Sequence, residues 1–293
     1  MPPPGRIPPV ATLLDAAPLV LPGVWDALSA KLAVEAGFRA LFVSGYCLSA
    51  TRLGAPDVGL IGQAEVLDAA ARICTAVDVP VIVDADTGYG GPLNVERTVQ
   101  ELVRAGAAGC FLEDQVWPKR CGHMEGKQVV PLEEYLPKLR AALGARGTSA
   151  FHVTARTDAR AAVGLDEAIA RARAFAEAGA DAVFVEAPQS IDEMTRVRAA
   201  VPPGVPCVAN MVEGGKTPLR PAAELAASGY RMIVAPVAGL LAMLPAVRRV
   251  FATLAADGST AGLAGTMAGF AELNAFLGLD AHRRRERGWS SRG

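Results

Sequence analysis

Eight short apolar runs, rich in Val, Ile and Phe, punctuate this chain, and longer Ala-, Glu- and Arg-rich stretches of helical period separate them. Strand-like segments that alternate with helices fold as repeated βα units on a parallel sheet. The runs cover residues 19–21, 40–43, 79–83, 109–112, 151–155, 182–185, 206–209 and 232–235. Eight is the number that closes such a sheet on itself, so the expected fold is α/β, a (β/α)8 TIM barrel. The helical stretches carry stop signals of their own. The stretch from Leu165 ends at Gly179, and the pairs Ala36-Gly37 and Ala105-Gly106 repeat that ending. A glycine at such a place supplies the left-handed cap of a helix C-terminus.

The 293 residues suit either two small domains or one barrel, and 51% hydrophobic residues with a mean hydropathy of +0.27 provide a large core. Only 5% are aromatic, so that core is built on Ala, Val and Leu. The eighth run is followed by a helix to about Ala256 and by a further apolar helix over about 262–277. A barrel has spent its eight helices by then, so the surplus one needs another surface to bury its face. The expected organisation is a single domain over 1–293. It comprises a barrel over about 10–258, a C-terminal helix over 259–280 and a frayed tail over 281–293 that carries Arg283-Arg-Arg-Glu-Arg287.

Active sites of such barrels lie at the C-terminal ends of the strands. Here those ends read Trp25-Asp26, Ser44-Gly45-Tyr46, Asp84-Ala-Asp86, Glu113-Asp114, Arg156-Thr-Asp158, Glu186, Asn210 and Pro236, so seven of eight deliver a polar group to one rim. Asp84, Asp86 and Glu113 crowd negative charge onto adjacent ends, which calls for a cation or a shared proton. Oxygen donors without clustered histidines favour Mg2+, with Mn2+ as the alternative, over zinc. A helix cap plus a salt bridge to Arg156 is the plainer reading of the same acids. Arg156 offers a two-pronged fork for a carboxylate or phosphonate. It would equally serve as a structural partner of Glu113 or Glu186. Ser44 and Gly45 can present a hydroxyl and backbone N–H groups to an anion, with Glu186 and Asn210 as further ligands.

Residues 113–130, rich in Gly, Lys and Pro, form an irregular stretch of the length that functional lids use. Within it stands Lys119-Arg-Cys-Gly-His123. A thiol flanked by Lys119, Arg120 and His123 is expected to have a lowered pKa and to exchange protons near neutral pH. Gly122 lets the backbone fold closely over a ligand. The segment Gly214-Gly-Lys-Thr217 imitates the end of a phosphate-binding P-loop, but the obligatory first glycine falls on Asn210 and Pro218 follows the Thr.

With 29 basic and 30 acidic residues, the net charge of −1 gives no electrostatic reason for nucleic acid or a membrane surface as partner. No apolar run reads as long enough to cross a bilayer, because Pro, Gly or charge interrupts each one. The N-terminus has no signal-peptide core. Five scattered cysteines without a CxxC pair point to reduced thiols and a cytoplasmic setting.

Taken in order, Ser44-Gly45, Asp84-Ala-Asp86-Thr-Gly-Tyr-Gly90, Leu112-Glu-Asp-Gln115, Pro118-Lys-Arg-Cys-Gly-His123, Ala155-Arg-Thr-Asp158 and Glu186-Ala187 resemble the isocitrate lyase/phosphoenolpyruvate mutase superfamily over roughly residues 10–275. The block Asn210-Met-Val-Glu-Gly-Gly-Lys-Thr-Pro218 turns the resemblance toward its dimethylmalate lyase, methylisocitrate lyase and carboxyphosphonoenolpyruvate mutase-like group. The resemblance implies Mg2+ held by Asp84 and Asp86, often through water, with Glu113 nearby. It implies that Cys121, on a loop closing over substrate, moves a proton at the enolate carbon. It also implies a homotetramer of swapped dimers, the C-terminal helix packing on a neighbouring barrel.

The expected activity is reversible cleavage of a small 2-hydroxy di- or tricarboxylate to a 2-oxo acid and a carboxylic acid. A C–P bond-forming mutase, an oxaloacetate hydrolase or decarboxylase, and a silent binding barrel are the alternatives. The expected catalytic set is Cys121, Arg156, Glu113, His123 and Lys119. The substrate set is Ser44, Gly45, Tyr46, Gly122, His123, Arg156, Glu186 and Asn210, with Tyr46 or a metal-bound water as the base. Departures from the family pattern fall in the pocket: Tyr46-Cys47 after Ser44-Gly45, no Ser shortly after Pro236, and Met124 after His123.

Overall fold

In the computed structural model, which describes residues 7–290, all eight expected strands are present. They are β1 (Leu19–Val24), β2 (Leu41–Val43), β3 (Val81–Asp84), β4 (Gly109–Glu113), β5 (His152–Thr157), β6 (Ala182–Val185), β7 (Cys207–Asn210) and β8 (Tyr230–Ala235). Every neighbouring pair is parallel, and β1 pairs with β8, so the sheet closes as a TIM barrel in sequence order. Helices intervene between strands, as βα units require.

Side chains alternate along each strand, so each strand feeds two cores. One cluster joins outward residues such as Val43, Val83, Cys110, Val153 and Val185 to the surrounding helices, including Tyr135, Leu139 and Phe175. The other fills the barrel with Leu19, Leu21, Phe42, Ile82, Phe111, Phe184, Val208 and Met232. Helix Val10–Ala16 adds Val10 and Leu14 to that inner cluster. On β5 the inward residues are His152, Thr154 and Arg156, and their neighbours on β4 by register are Gly109, Phe111 and Glu113. The inner core therefore turns from apolar to ionic as β4 and β5 reach the rim.

The described chain divides after Leu241 into two compact units. The second begins within helix Ala238–Asp257, which buries none of its residues. The apolar helix expected over 262–277 is a 3-10 turn, Ala261–Thr266, followed by a short helix, Phe270–Phe276. Gly269, just before that helix, separates the two. The segment expected to fray forms a helix, Leu279–Ser290, while residues 291–293 lie outside the described residues. One expectation about membranes is corrected. Helix Ala238–Asp257 is long and apolar enough to cross a bilayer by length and composition, because its Pro245 and two arginines do not lower its hydropathy sufficiently.

Candidate active site

The strand ends surround a cavity of about 280 Å3. Its floor is aromatic. The Phe42 and Phe111 rings meet tilted with centroids 4.9 Å apart, Phe111 and Phe184 meet edge to face at 5.7 Å, and the Arg156 guanidinium lies 5.3 Å from the centre of the Phe184 ring. Ser44, Tyr46, Asp84, Lys119, Cys121, Gly122, His123, Arg156, Glu186 and Asn210 reach its wall. Gly45, Asp86 and Glu113 do not line it and stand behind that wall. Asp26 takes no part, because it caps helix Ala27–Glu35 by accepting from the Ser29 N–H at 2.7 Å. Ser44 likewise caps a helical turn through the Cys47 N–H, at 3.3 Å.

Two ionic groups organise the rim. Lys119, 4% exposed, places its amine 2.7 Å from Asp57 and 2.7 Å from Asp86. Burial works against the charge of Lys119, but Asp86, Asp57 and Asp84 outweigh it and hold the amine protonated. Asp86 itself sits at φ +48°, a left-handed backbone that a non-glycine residue adopts only under constraint. In the second group, Arg156 donates to Asp158 through Nε and Nη2 at 2.9 and 3.1 Å. It also faces Glu113 and Glu186, each at 3.3 Å. Arg156 is thus a structural partner of both glutamates and a wall of the cavity. Burial alone would raise the Glu186 pKa, yet Arg156 and His123 hold it down to about 2.

The carboxylates expected to hold Mg2+ are drawn out of water. Burial pushes Asp86 up to about 7, Glu113 well above the usual carboxylate range and Asp84 upward as well. Glu113 Oε1 is buried without a hydrogen-bond partner. A Cβ on Gly45 would stand 3.0 Å from an Asp84 oxygen and 3.6 Å from an Asp86 oxygen, so the glycine keeps space open beside both. Desolvated oxygens around reserved space fit a hard divalent cation. Among the described residues no three such side chains converge tightly enough to cage an ion unaided.

The lid loop differs from expectation in its electrostatics. Lys119 is committed to Asp57 and Asp86, and Arg120 donates to the Glu125 carbonyl at 3.1 Å. Neither serves the thiol. Burial therefore dominates and raises the Cys121 pKa to about 11, against the lowering effect of the His123 backbone N–H. Cys121 is held as a neutral thiol, where the sequence pointed to an activated one. The loop is nonetheless well placed. The Cys121 N–H donates to the Asp57 carbonyl at 3.0 Å, and a Cβ on Gly122 would meet the Glu186 carboxyl at 2.5 Å. Only glycine permits that approach. His123 accepts from the Lys216 N–H through Nδ1 at 2.9 Å, which leaves Nε2 to face Glu186 at 3.3 Å.

Sequence reasoning missed Asp57, Lys127 and the phenylalanine floor. Asp57 follows Pro56 in a loop away from any strand end, and the signal that could have found it is the anion that a buried Lys119 requires.

An aromatic-floored cavity at the C-terminal rim of a parallel barrel, with buried cations, crowded carboxylates and a thiol on its loop, is the kind of site that barrel enzymes carry. The family described as phosphoenolpyruvate phosphomutase matches residues 11–255, and the chain belongs to it. The chain is 48% identical over 267 residues to a chloroplastic carboxyvinyl-carboxyphosphonate phosphorylmutase of Arabidopsis thaliana, covering 90% of this chain and 78% of the relative. It is 44% identical over 273 residues to 2,3-dimethylmalate lyase of Eubacterium barkeri, covering 93% and 94%. A crystal structure of 2,3-dimethylmalate lyase, a PEP mutase/isocitrate lyase superfamily member, superposes with a TM-score of 0.90 at 37% identity over 95% of this chain and 94% of that one. The protein is an enzyme of the isocitrate lyase/phosphoenolpyruvate mutase superfamily.

Proposed function

We propose that this enzyme is a Mg2+-dependent carbon–carbon lyase. It would cleave a small 2-hydroxy dicarboxylate to a 2-oxo acid and a carboxylic acid through an enolate. The observation that carries the reading is the position of Cys121, whose thiol burial keeps from ionising, on the wall of the cavity that Arg156 also lines. Asp84, Asp86 and Glu113 would hold the ion, as divalent-metal dependence is general in the superfamily. Bound there, Mg2+ would supply Lewis-acid stabilisation of the 2-oxo product. Arg156, fixed by Asp158, would bind a carboxylate and counter the charge that develops as the bond breaks. When the hydroxyl gives its proton to water in the cavity, its oxygen becomes the carbonyl of the 2-oxo acid, and the electrons of the breaking C–C bond pass to the departing acid as an enolate. Cys121 would give its proton to that enolate carbon. Burial, with Cys121 and Asp57 nearby, raises the Tyr46 pKa, which makes Tyr46 an orienting hydroxyl and a poor base.

The variable end of the substrate meets an apolar wall of Met124, Val212, Pro236, Val237 and Leu241. Lys119 and Arg156, the buried cations of the cavity, already face carboxylates. That wall favours an alkyl-substituted dicarboxylate over a tricarboxylate. The identity to a phosphorylmutase favours C–P bond formation as the second reading. NMR of the enzyme with Mg2+ and a panel of 2-hydroxy di- and tricarboxylates and phosphonates separates the two. The lyase reading predicts a 2-oxo acid from an alkylmalate, abolished by EDTA and restored by Mg2+ or Mn2+. Turnover of phosphonates alone, or full activity without metal, contradicts it. A cytoplasmic homotetramer is the assembly proposed with it, in keeping with a superfamily whose members are often oligomeric.

A further inference from the structure

Lys127 is 7% exposed and lies at the end of the Cys121 loop, outside the catalytic set. Its side chain is fully buried, and a lysine amine is seldom taken out of water without compensation. The amine makes two contacts. It donates to the carbonyl oxygen of Gly122, five residues back in the same loop. It also lies 3.2 Å from Asp158 Oδ1, at the end of β5. That same oxygen accepts from Arg156 Nη2 at 3.1 Å, while Asp158 Oδ2 accepts from Arg156 Nε at 2.9 Å. One buried carboxylate is therefore shared by the loop's lysine and the cavity's arginine. On the other side of the loop, His123 meets Glu186 at 3.3 Å, and Glu186 meets Arg156 at 3.3 Å. Besides the Lys119–Asp86 pair, these two routes from the lid to the barrel each pass through an acid that also holds Arg156.

We propose that Lys127 is a positioning residue, which locks the Cys121 loop down and reports its closure to Arg156 through the shared Asp158 carboxylate. With the loop down, Asp158 divides its charge between two cations and holds Arg156 less tightly, so the guanidinium can also take a substrate carboxylate. With the loop lifted, Lys127 leaves with Gly122, and Asp158 draws Arg156 fully to itself. The loop places the thiol and the arginine places the anion, so one amine couples proton donor to anion site. The inference rests on reading Cys121 as the proton donor, but its test does not require turnover.

The test is the rate at which iodoacetamide alkylates Cys121, followed by mass spectrometry of its peptide. The other four cysteines are buried and serve as internal controls for the fold. In Lys127→Met, Cys121 is expected to label at least tenfold faster, with the four controls unchanged. Oxalate with Mg2+ should protect the thiol of the variant less than that of the wild type. Lys127→Arg, which keeps the charge, should fall between the two. The effect of Asp158→Asn should shrink in the Lys127→Met background, as expected for one network. Wild-type labelling in Lys127→Met overturns the inference. Should that variant label all five cysteines, its fold is lost, and Lys127→Gln decides on the same scale. Unchanged labelling in an enzyme that still cleaves 2-hydroxy acids removes the latch and spares the lyase. Faster labelling in a protein that cleaves none upholds the latch and removes the lyase.

Discussion

At the scale of residues, the site is a contest between burial and charge, and the winner differs from side chain to side chain. Two carboxylates bracket the Lys119 amine, which stays charged, whereas burial decides for Cys121 and keeps its proton on sulfur. An enolate carbon needs a proton to be delivered, and a neutral thiol can deliver it. Cys121→Ser replaces it with a far weaker acid, so turnover should fall by about 10²–10⁴, the usual loss for an acid–base group. Oxalate and Mg2+ binding should persist, as isothermal titration would show. Near wild-type turnover would reduce the loop to a lid. The residues of this site were legible wherever they stood at a strand end, as Ser44, Asp84, Glu113, Arg156, Glu186 and Asn210 do. Their charge states were not legible, because adjacency in sequence put Lys119 and Arg120 beside the thiol while the fold turned both elsewhere.

At the scale of elements, strand alternation explains how the site is seated. Phe42, Phe111 and Phe184 each lie two residues before a rim residue, namely Ser44, Glu113 and Glu186, so the aromatic floor is the inward layer beneath the rim. That layer could have been read from the period of two. The opposite end of β5 carries an ionisable residue in the same inward row. His152 is 4% exposed, and its Nε2 has no hydrogen-bond partner. Burial, partly offset by Asp181 and reinforced by Arg146, lowers its pKa to about 4. The unfolded chain protonates its histidine near pH 6.5, so between about 6.5 and 4 it binds more protons than the native state. This contribution to stability is complete above that window and is lost as pH falls through it, by about 3 kcal/mol in all. Urea melts of wild type and His152→Gln across pH 4–7 should diverge by a difference that shrinks toward low pH. A constant difference would show that His152 titrates normally.

At the scale of the whole molecule, the barrel was legible because eight apolar runs with glycine-stopped helices admit few other closures. The end of the chain was less so, since hydropathy alone did not reveal that Gly269 divides the apolar stretch before Phe270–Phe276. In the C-terminal unit Leu244, Phe251, Phe270 and Trp289 are 52%, 64%, 82% and 70% exposed. Apolar exposure on that scale marks a surface that associates. Deleting residues 262–293 should give dissociated or aggregated protein in light scattering, and a wild-type monomer at micromolar concentration would contradict the proposed tetramer. The central claim, a lyase whose thiol protonates an enolate, is tested most directly in D2O. The enzyme, Mg2+ and 2,3-dimethylmalate would be followed by proton NMR. The account predicts pyruvate together with propionate carrying one deuterium at the carbon released from the broken bond, and neither product from Cys121→Ser. Cleavage without deuterium at that carbon, or no cleavage of any 2-hydroxy dicarboxylate, would contradict it.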